Sequence, residues 1–138
     1  MRRAQDGPPA WCEDYLLLMA GSLGPRPCWE LVRRVYQERL GIDLPTHGEV
    51  DHRTSVGCAE TIAGERDGQD WVPVEPGQEC EHDVAIVLRI VRGEAIPAHV
   101  GIIAAPGWML HAEEDRGVSV VRLREMLIDS IRRHKSQA

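Results

Sequence analysis

Hydrophobic spacing divides the chain into a helical first part and a strand-rich second part. The clearest helical pattern consists of apolar residues three or four positions apart, with charged residues between them: Leu31, Val32, Val35, Tyr36 and Leu40. This pattern predicts an amphipathic helix over 28–40, with Pro27 in the first turn and Gly41 just past the end. A shorter helix is predicted over 11–20, followed by a loop rich in Gly and Pro over 21–27.

The second part is rich in β-branched and apolar residues, which favour strands. Strands are predicted over 83–91, 99–104, 108–112 and 118–123, with Gly-containing turns at 92–94 and 106–107. Residues 45–83 show little periodicity and are predicted to form loops and short helices, one of them near 55–63. A closing helix is predicted over 124–134, with Met126, Leu127 and Ile131 on one face. Helices followed by an antiparallel meander are typical of an α+β domain.

Length and composition limit the classes of protein that need to be considered. The 138 residues, 43% of them hydrophobic, suit one globular domain over 1–138, with a core at about 11–123 and a C-terminal helix at about 124–135. No apolar run approaches the roughly 20 residues of a membrane span, and the N-terminus lacks a secretory signal. A soluble product made in the cytoplasm is therefore expected. The net charge of −6 argues against non-specific binding of nucleic acid.

Three residues could form a nucleophilic site. Cys28 falls in the first turn of a predicted helix, where unpaired N–H groups and the helix dipole favour thiolate, although buried cysteines often pack as small hydrophobes. His99 and His111 flank the turn at Pro106 and Gly107 almost symmetrically, so their rings are expected to touch across a hairpin. One ring could then orient the other as a base for a thiol. The alternative is a pair of strand histidines that face solvent.

The four cysteines allow one further hypothesis. They are too few and too dispersed for a disulfide framework, so reduced thiols are expected. Cys80 and His82 could bind zinc together with Cys58 or Cys12, because thiolate and imidazole are its usual ligands. No second closely spaced pair accompanies them, which argues against a zinc site.

Several segments resemble the NlpC family of papain-like cysteine peptidases. Residues 28–36 (CWELVRRVY), followed by 40–45 (LGIDLP), are similar to the family's nucleophile helix, above all in the branch associated with phage tail assembly, whose motif is Asp-Cys-Trp-Gly-Leu-Val. Residues 99–102 (HVGI) and 109–112 (MLHA) resemble the catalytic-histidine strand and the strand that carries the third polar residue. Asp83 and Val84 resemble the step into the first central strand. The resemblance covers roughly 11–123.

The resemblance implies a fold, an activity and a location. The fold would be papain-like, with the nucleophile helix packed on an antiparallel sheet. The activity would be hydrolysis of peptidoglycan stem peptides, typically at the D-γ-glutamyl-diamino acid bond, with Cys28 as nucleophile, His99 as base and His111 as its orienting partner. It would need neither a metal nor an organic cofactor. Phage tail-tip or hub proteins would be the partners. The protein would be a virion tail component, made in the host cytoplasm and acting on the cell wall in the periplasm.

Two residues beside the nucleophile depart from the family pattern. Pro27 replaces the motif's Asp, and Glu30 replaces its Gly. A carboxylate that pointed at the thiol would disfavour its ionisation. Tyr15 is the tyrosine upstream of Cys28 that could contribute to an oxyanion site, as family members often do. The alternative function is therefore a structural tail-tip protein that retains the NlpC fold with little or no catalysis.

Overall fold

The described residues form a helical layer and a six-stranded sheet. In this computed structural model they are 7–18, 20–24, 26–47 and 55–138. Helix α1 covers Glu13–Leu16, α2 covers Pro27–Val35 and α3 covers Ser55–Arg66. Short 3₁₀ turns at Ala10–Cys12 and Ala20–Leu23 flank α1. None of the helices in these ranges is long and apolar enough to cross a bilayer.

Helix α2 has the boundaries that its sequence predicts. Pro27 occupies its first turn, where a missing N–H breaks no helical hydrogen bond. Its buried face includes Leu31, Val32 and Val35. A π-helical turn over Tyr36–Leu40 extends it, and Gly41 ends it at φ 67°, in the left-handed region that glycine adopts without strain. The helix predicted over 11–20 is shorter than expected, since α1 comprises a single turn.

The six strands form one antiparallel sheet in the order β1-β6-β2-β3-β4-β5. Their bounds are Trp71–Val74 for β1, Val84–Val91 for β2, Glu94–Ala105 for β3, Trp108–Glu113 for β4, Gly117–Arg122 for β5 and Ile128–His134 for β6. The four strands predicted from the sequence correspond to β2 through β5. Each lies next to its neighbour in the chain, as expected for a meander.

The two faces of the sheet carry separate apolar clusters. On one face, residues of α2 pack with Val84, Val100, Ile102 and Leu110, forming what we call the helix-side cluster. The opposite face carries a smaller cluster that includes Val87, Ile103 and Met109, which we call the outer cluster. Strand residues alternate between the faces. Successive residues of β3, such as Ile102 and Ile103, therefore belong to different clusters.

The predicted C-terminal helix over 124–135 is wrong, because residues Ile128–His134 form strand β6 between β1 and β2. An apolar residue every three or four positions fits a helix, but insertion between two strands gives β6 hydrogen-bond partners on both sides. Its Arg133 also makes a two-pronged bond to the buried Asp83, with both N···O distances 2.8 Å. Strand β1 was not predicted because it has four residues and contains Pro73, which an edge strand tolerates.

Candidate active site

The thiol of Cys28 lies at the start of α2 and faces strand β3. Its side chain is half-buried and packs against the helix-side cluster. Burial raises the pKa of Cys28, while hydrogen bonding to the backbone of Val100, the positive charge of Arg26 and the backbone of Trp29 all oppose that rise. Burial is the largest of these effects. The resting group at neutral pH is therefore a thiol, and its contact on the sheet is the residue that follows His99.

The imidazoles of His99 and His111 touch, as their spacing predicts. His99 Nε2 and His111 Nδ1 are 2.8 Å apart, and the rings meet edge to face at 78°. Both side chains are buried, with exposed fractions of 5% and 4%. The alternative of two solvent-facing strand histidines is wrong. Their strands hold them together because β3 and β4 are joined by the short turn at Gly107.

Both imidazoles are neutral near pH 7. Burial lowers the pKa of His99 to about 3, helped by the charge of Arg89 and by His111. Burial also lowers the pKa of His111; Glu113 opposes this effect and Arg89 adds to it. A neutral imidazole holds one proton, so one nitrogen of the touching pair donates and the other accepts. His99 can therefore act as a base without first losing a proton.

The contact assigns different tasks to the two nitrogens of His99. Its Nε2 bonds His111, which leaves Nδ1 as the nitrogen that could receive a proton. This arrangement requires the tautomer in which His99 Nε2 donates to His111 Nδ1, so that Nδ1 of His99 carries the lone pair. A fixed partner on one ring nitrogen is the usual way in which a catalytic imidazole is oriented.

Two charged residues beside the histidine pair were not singled out from the sequence. Arg89 Nη2 donates to Glu113 Oε1 at 2.7 Å, and the same oxygen lies 4.0 Å from His111 Nδ1. A signal for both was present, because Arg89 interrupts an apolar strand and Glu113 follows His111 by two positions on the same face. Their opposite charges cancel within one ion pair, which lies next to the two uncharged imidazoles.

The Cys28 thiol and the His99 side chain lie on different faces of the sheet. His99 lies opposite Val87 of the outer cluster, whereas Val100 belongs to the helix-side cluster. The β3–β4 register begins at Ile102 opposite Leu110, so His99 lies beyond the paired part of the hairpin. These positions place His99 on the outer face of the sheet and the Cys28 thiol on the helix side, so a side-chain rotation alone does not join them. Direct transfer of a proton to His99 requires a local change in β3 that turns this residue toward α2 when substrate binds.

The residues around the thiol settle two expectations about neighbouring side chains. Glu30 does not point at the thiol, because its carboxylate pairs with Arg33 at 2.7 Å on the helix surface. The hydroxyl of Tyr15 donates a hydrogen bond to Glu38 at 2.7 Å and is therefore not directed at Cys28. Tyr15 is consequently not available as an oxyanion donor in this arrangement. Helix α2 retains its own backbone N–H groups at that end.

The zinc site proposed for Cys80 and His82 is not formed. Cys80 Sγ lies 3.7 Å from the carbonyl of Gln78, and His82 accepts a bond from Arg39 while it stacks on Trp11. Within the described ranges, the one group of three potential ligands is formed by other residues: His99, His111 and Glu113, whose ligand atoms lie within 4.8 Å of one another. Imidazole and carboxylate could hold a divalent cation, although Glu113 is already paired with Arg89.

Comparison with known proteins supports the architecture. No protein-family model matches the sequence, and no curated protein is significantly similar to it. Among solved structures, the NlpC/p60 domain of the peptidoglycan hydrolase SagA is similar at a TM-score of 0.52 and 20% sequence identity, over 88% of this chain and 92% of that one. The chain therefore has the α+β, papain-like fold of NlpC/p60 domains, with helix α2 packed on an antiparallel sheet.

Proposed function

We propose that this chain is a cysteine peptidase that hydrolyses bacterial peptidoglycan stem peptides. The observation that carries the proposal is the His99–His111 hydrogen bond, placed one residue from the backbone that contacts the Cys28 thiol. The fold supports it, since the similar SagA domain comes from a peptidoglycan hydrolase. A nucleophile, a base and an orienting partner are thus available within two strands and one helix end.

In the proposed reaction, the thiol proton moves to His99 Nδ1 as Cys28 Sγ attacks the carbonyl carbon of the peptide bond. His111 keeps the ring aligned through the bond at 2.8 Å. The carbonyl oxygen becomes an oxyanion, which backbone N–H groups at the start of α2 can stabilise. The proton then passes to the leaving amine, and the bond to it breaks. Water, activated by the same imidazole, hydrolyses the remaining thioester.

The resting pair differs from a preformed thiolate and imidazolium. Because the pKa of Cys28 is raised and that of His99 is lowered, both groups are uncharged before substrate arrives. In the proposed mechanism the ion pair forms only when substrate excludes water and a local change in β3 turns the imidazole of His99 toward the sulfur. Arg26, whose positive charge favours the thiolate, contributes to that step.

The finer assignments follow from the sequence resemblance. The proposed scissile bond is the one between D-γ-glutamate and the diamino acid of the stem peptide. The proposed setting is a phage or phage-like tail tip, in contact with other tail proteins, from which the domain reaches the wall in the periplasm. A tail would deliver a protein made in the host cytoplasm to its substrate.

Hydrolysis of purified peptidoglycan and of an L-alanyl-γ-D-glutamyl-diamino acid tripeptide tests the activity. Wild type should release the diamino acid product, Cys28→Ala should release none, and His99→Ala should lose about 10²–10⁴-fold in kcat, the usual contribution of a positioned base. Cys80→Ala, which removes a thiol far along the chain, should match wild type. Equal absence of turnover in wild type and Cys28→Ala would refute the peptidase.

A structural tail-tip role is the second candidate. The observation that favours it is the raised pKa of Cys28 beside a backbone contact instead of an imidazole. Pro27, at the position where the motif has an acid, adds to it. This role predicts that wild type and Cys28→Ala bind peptidoglycan sacculi equally and hydrolyse neither substrate. Sedimentation with sacculi, measured alongside the turnover assay, distinguishes the two.

A further inference from the structure

A cavity lies next to the nucleophile, between the start of α2, helix α3 and the sheet. About 330 Å³ of empty space, part of it open to solvent, lies between these elements. Arg26, Trp29 and Val100 line it, and these same residues influence the ionisation of Cys28. The cavity therefore shares three lining residues with the surroundings of the thiol, while Cys28, His99 and His111 do not line it.

One wall of the cavity carries the buried guanidinium of Arg26. Arg26 has an exposed fraction of 5%, and within the described part of the chain its Nε and Nη1 atoms have no hydrogen-bond partner. A buried donor that lacks a partner costs about 1–3 kcal/mol, and more when it is charged. An unsatisfied buried group of this kind calls for an explanation, and a bound ion is one of the recognised ones.

Two of the three other charged residues of the lining are already paired, and the third, Arg132, donates through Nε to Ser130 at 3.2 Å. Glu65, the one acid among the lining residues described, accepts bonds from His47 and from Trp71 at 2.8 and 2.6 Å. Arg66 pairs with Asp67 and with a residue on β6. The cavity consequently has an excess of positive charge, although the whole chain has a net charge of −6.

We propose that this cavity is an anion subsite in which Arg26 binds a carboxylate of the substrate peptide next to the bond that Cys28 cleaves. The inference rests on the proposed function, since it assumes a peptide bound at the thiol. A guanidinium presents a planar fork of N–H donors that matches a carboxylate. The room available is that of one or two water molecules, which suits a carboxylate group and excludes a sugar.

The position of the carboxylate follows from the chemistry of the proposed bond. A glutamyl residue that is linked through its γ-carboxyl group keeps its α-carboxylate free. This carboxylate lies on the acyl side of the scissile bond. Amidation of that carboxylate removes its charge with little change in shape. The subsite therefore predicts discrimination between stem peptides with a glutamate and those with an isoglutamine.

Calorimetry on the Cys28→Ala protein tests the subsite without turnover. The two probes are the γ-D-glutamyl tripeptide and the same peptide with its α-carboxylate amidated. The free acid should bind about ten- to a hundredfold more tightly, the range for a hydrogen-bonded charge. Adding Arg26→Gln should reduce this ratio to about one. Arg34→Gln, which makes the same charge change on the same helix outside the cavity lining, should preserve it.

Three results would overturn the subsite: equal affinity for the two peptides, a preference that survives Arg26→Gln, or binding of neither peptide. Circular dichroism of each variant confirms that it is folded. Turnover by the protein with intact Cys28 separates the two proposals. Cleavage of both peptides at equal rates, in a ratio that Arg26→Gln leaves unchanged, would remove the subsite and keep the peptidase. Selective binding with no cleavage would keep the subsite and remove the peptidase.

Discussion

Replacing Arg26 by methionine should make the protein more stable. The guanidinium is 5% exposed, and its Nε and Nη1 atoms lack partners among the described residues. Each unpartnered donor costs about 1–3 kcal/mol, and more when it carries charge. Methionine has a similar length and no polar hydrogen, so it removes this cost while filling most of the volume. Allowing for lost packing of the guanidinium, we expect a net gain of about 1–3 kcal/mol.

Denaturation by urea, followed by circular dichroism, measures this gain as a shift in midpoint at constant m value. For a chain of this length the change corresponds to roughly 4–12 °C in Tm. Arg34→Met provides the matched control, because it removes the same charge from a partly exposed position on α2 and should change the free energy of unfolding by less than about 0.5 kcal/mol. Destabilisation of Arg26→Met by 1 kcal/mol or more would show that the guanidinium has a stabilising partner, and the anion subsite would lose its basis.

Three further outcomes are expected. Alkylation of Cys28 by iodoacetamide, followed by mass spectrometry of its peptide, should accelerate with pH to above 9 because burial raises its pKa; a plateau below pH 7 would contradict a resting thiol. The free energy of unfolding should fall by up to about 1.4 kcal/mol per pH unit between pH 6.5 and 3, because the unfolded state protonates a histidine that stays neutral in the fold with its pKa at about 3. His99→Gln should flatten that slope, and an unchanged slope would count against the assignment. Arg133→Met should destabilise the fold by about 3–5 kcal/mol because it leaves the buried carboxylate of Asp83 without its cationic partner. Arg124→Met, at an exposed position, should have little effect. Equal unfolding midpoints for the two variants would show that the pair of Arg133 and Asp83 is dispensable.

Elements set by local patterns could be predicted from the sequence. Helix α2 has a continuous apolar face, a proline at its start and a glycine at its end. The meander from β2 to β5 consists of apolar runs separated by short turns, and neighbouring strands pair locally. The contact between His99 and His111 belongs to this group, because a tight turn places residues at similar distances on either side of it close together.

Elements that depend on distant partners could not be predicted in the same way. The segment over Ile128–His134 has spacing that suits a helix, and it becomes a strand because β1 and β2 supply its hydrogen bonds. Strand β1 depends in turn on β6. No periodicity in a single segment contains this information, since the deciding contacts join residues far apart in the chain.

Some features of the candidate site could likewise be predicted from the sequence, and others depend on the tertiary structure. The sequence is enough to identify the residue types at 28, 99 and 111 and to predict the pairing of the two histidines. These features depend only on one helix start and one turn. Only the packed structure decides that Cys28 contacts the backbone of Val100 and that burial opposes its ionisation. It also decides that Arg26 is enclosed, with two of its nitrogen atoms unpartnered among the described residues. Burial and charge pairing are properties of the assembled layers, because each depends on which distant side chains exclude water from a group.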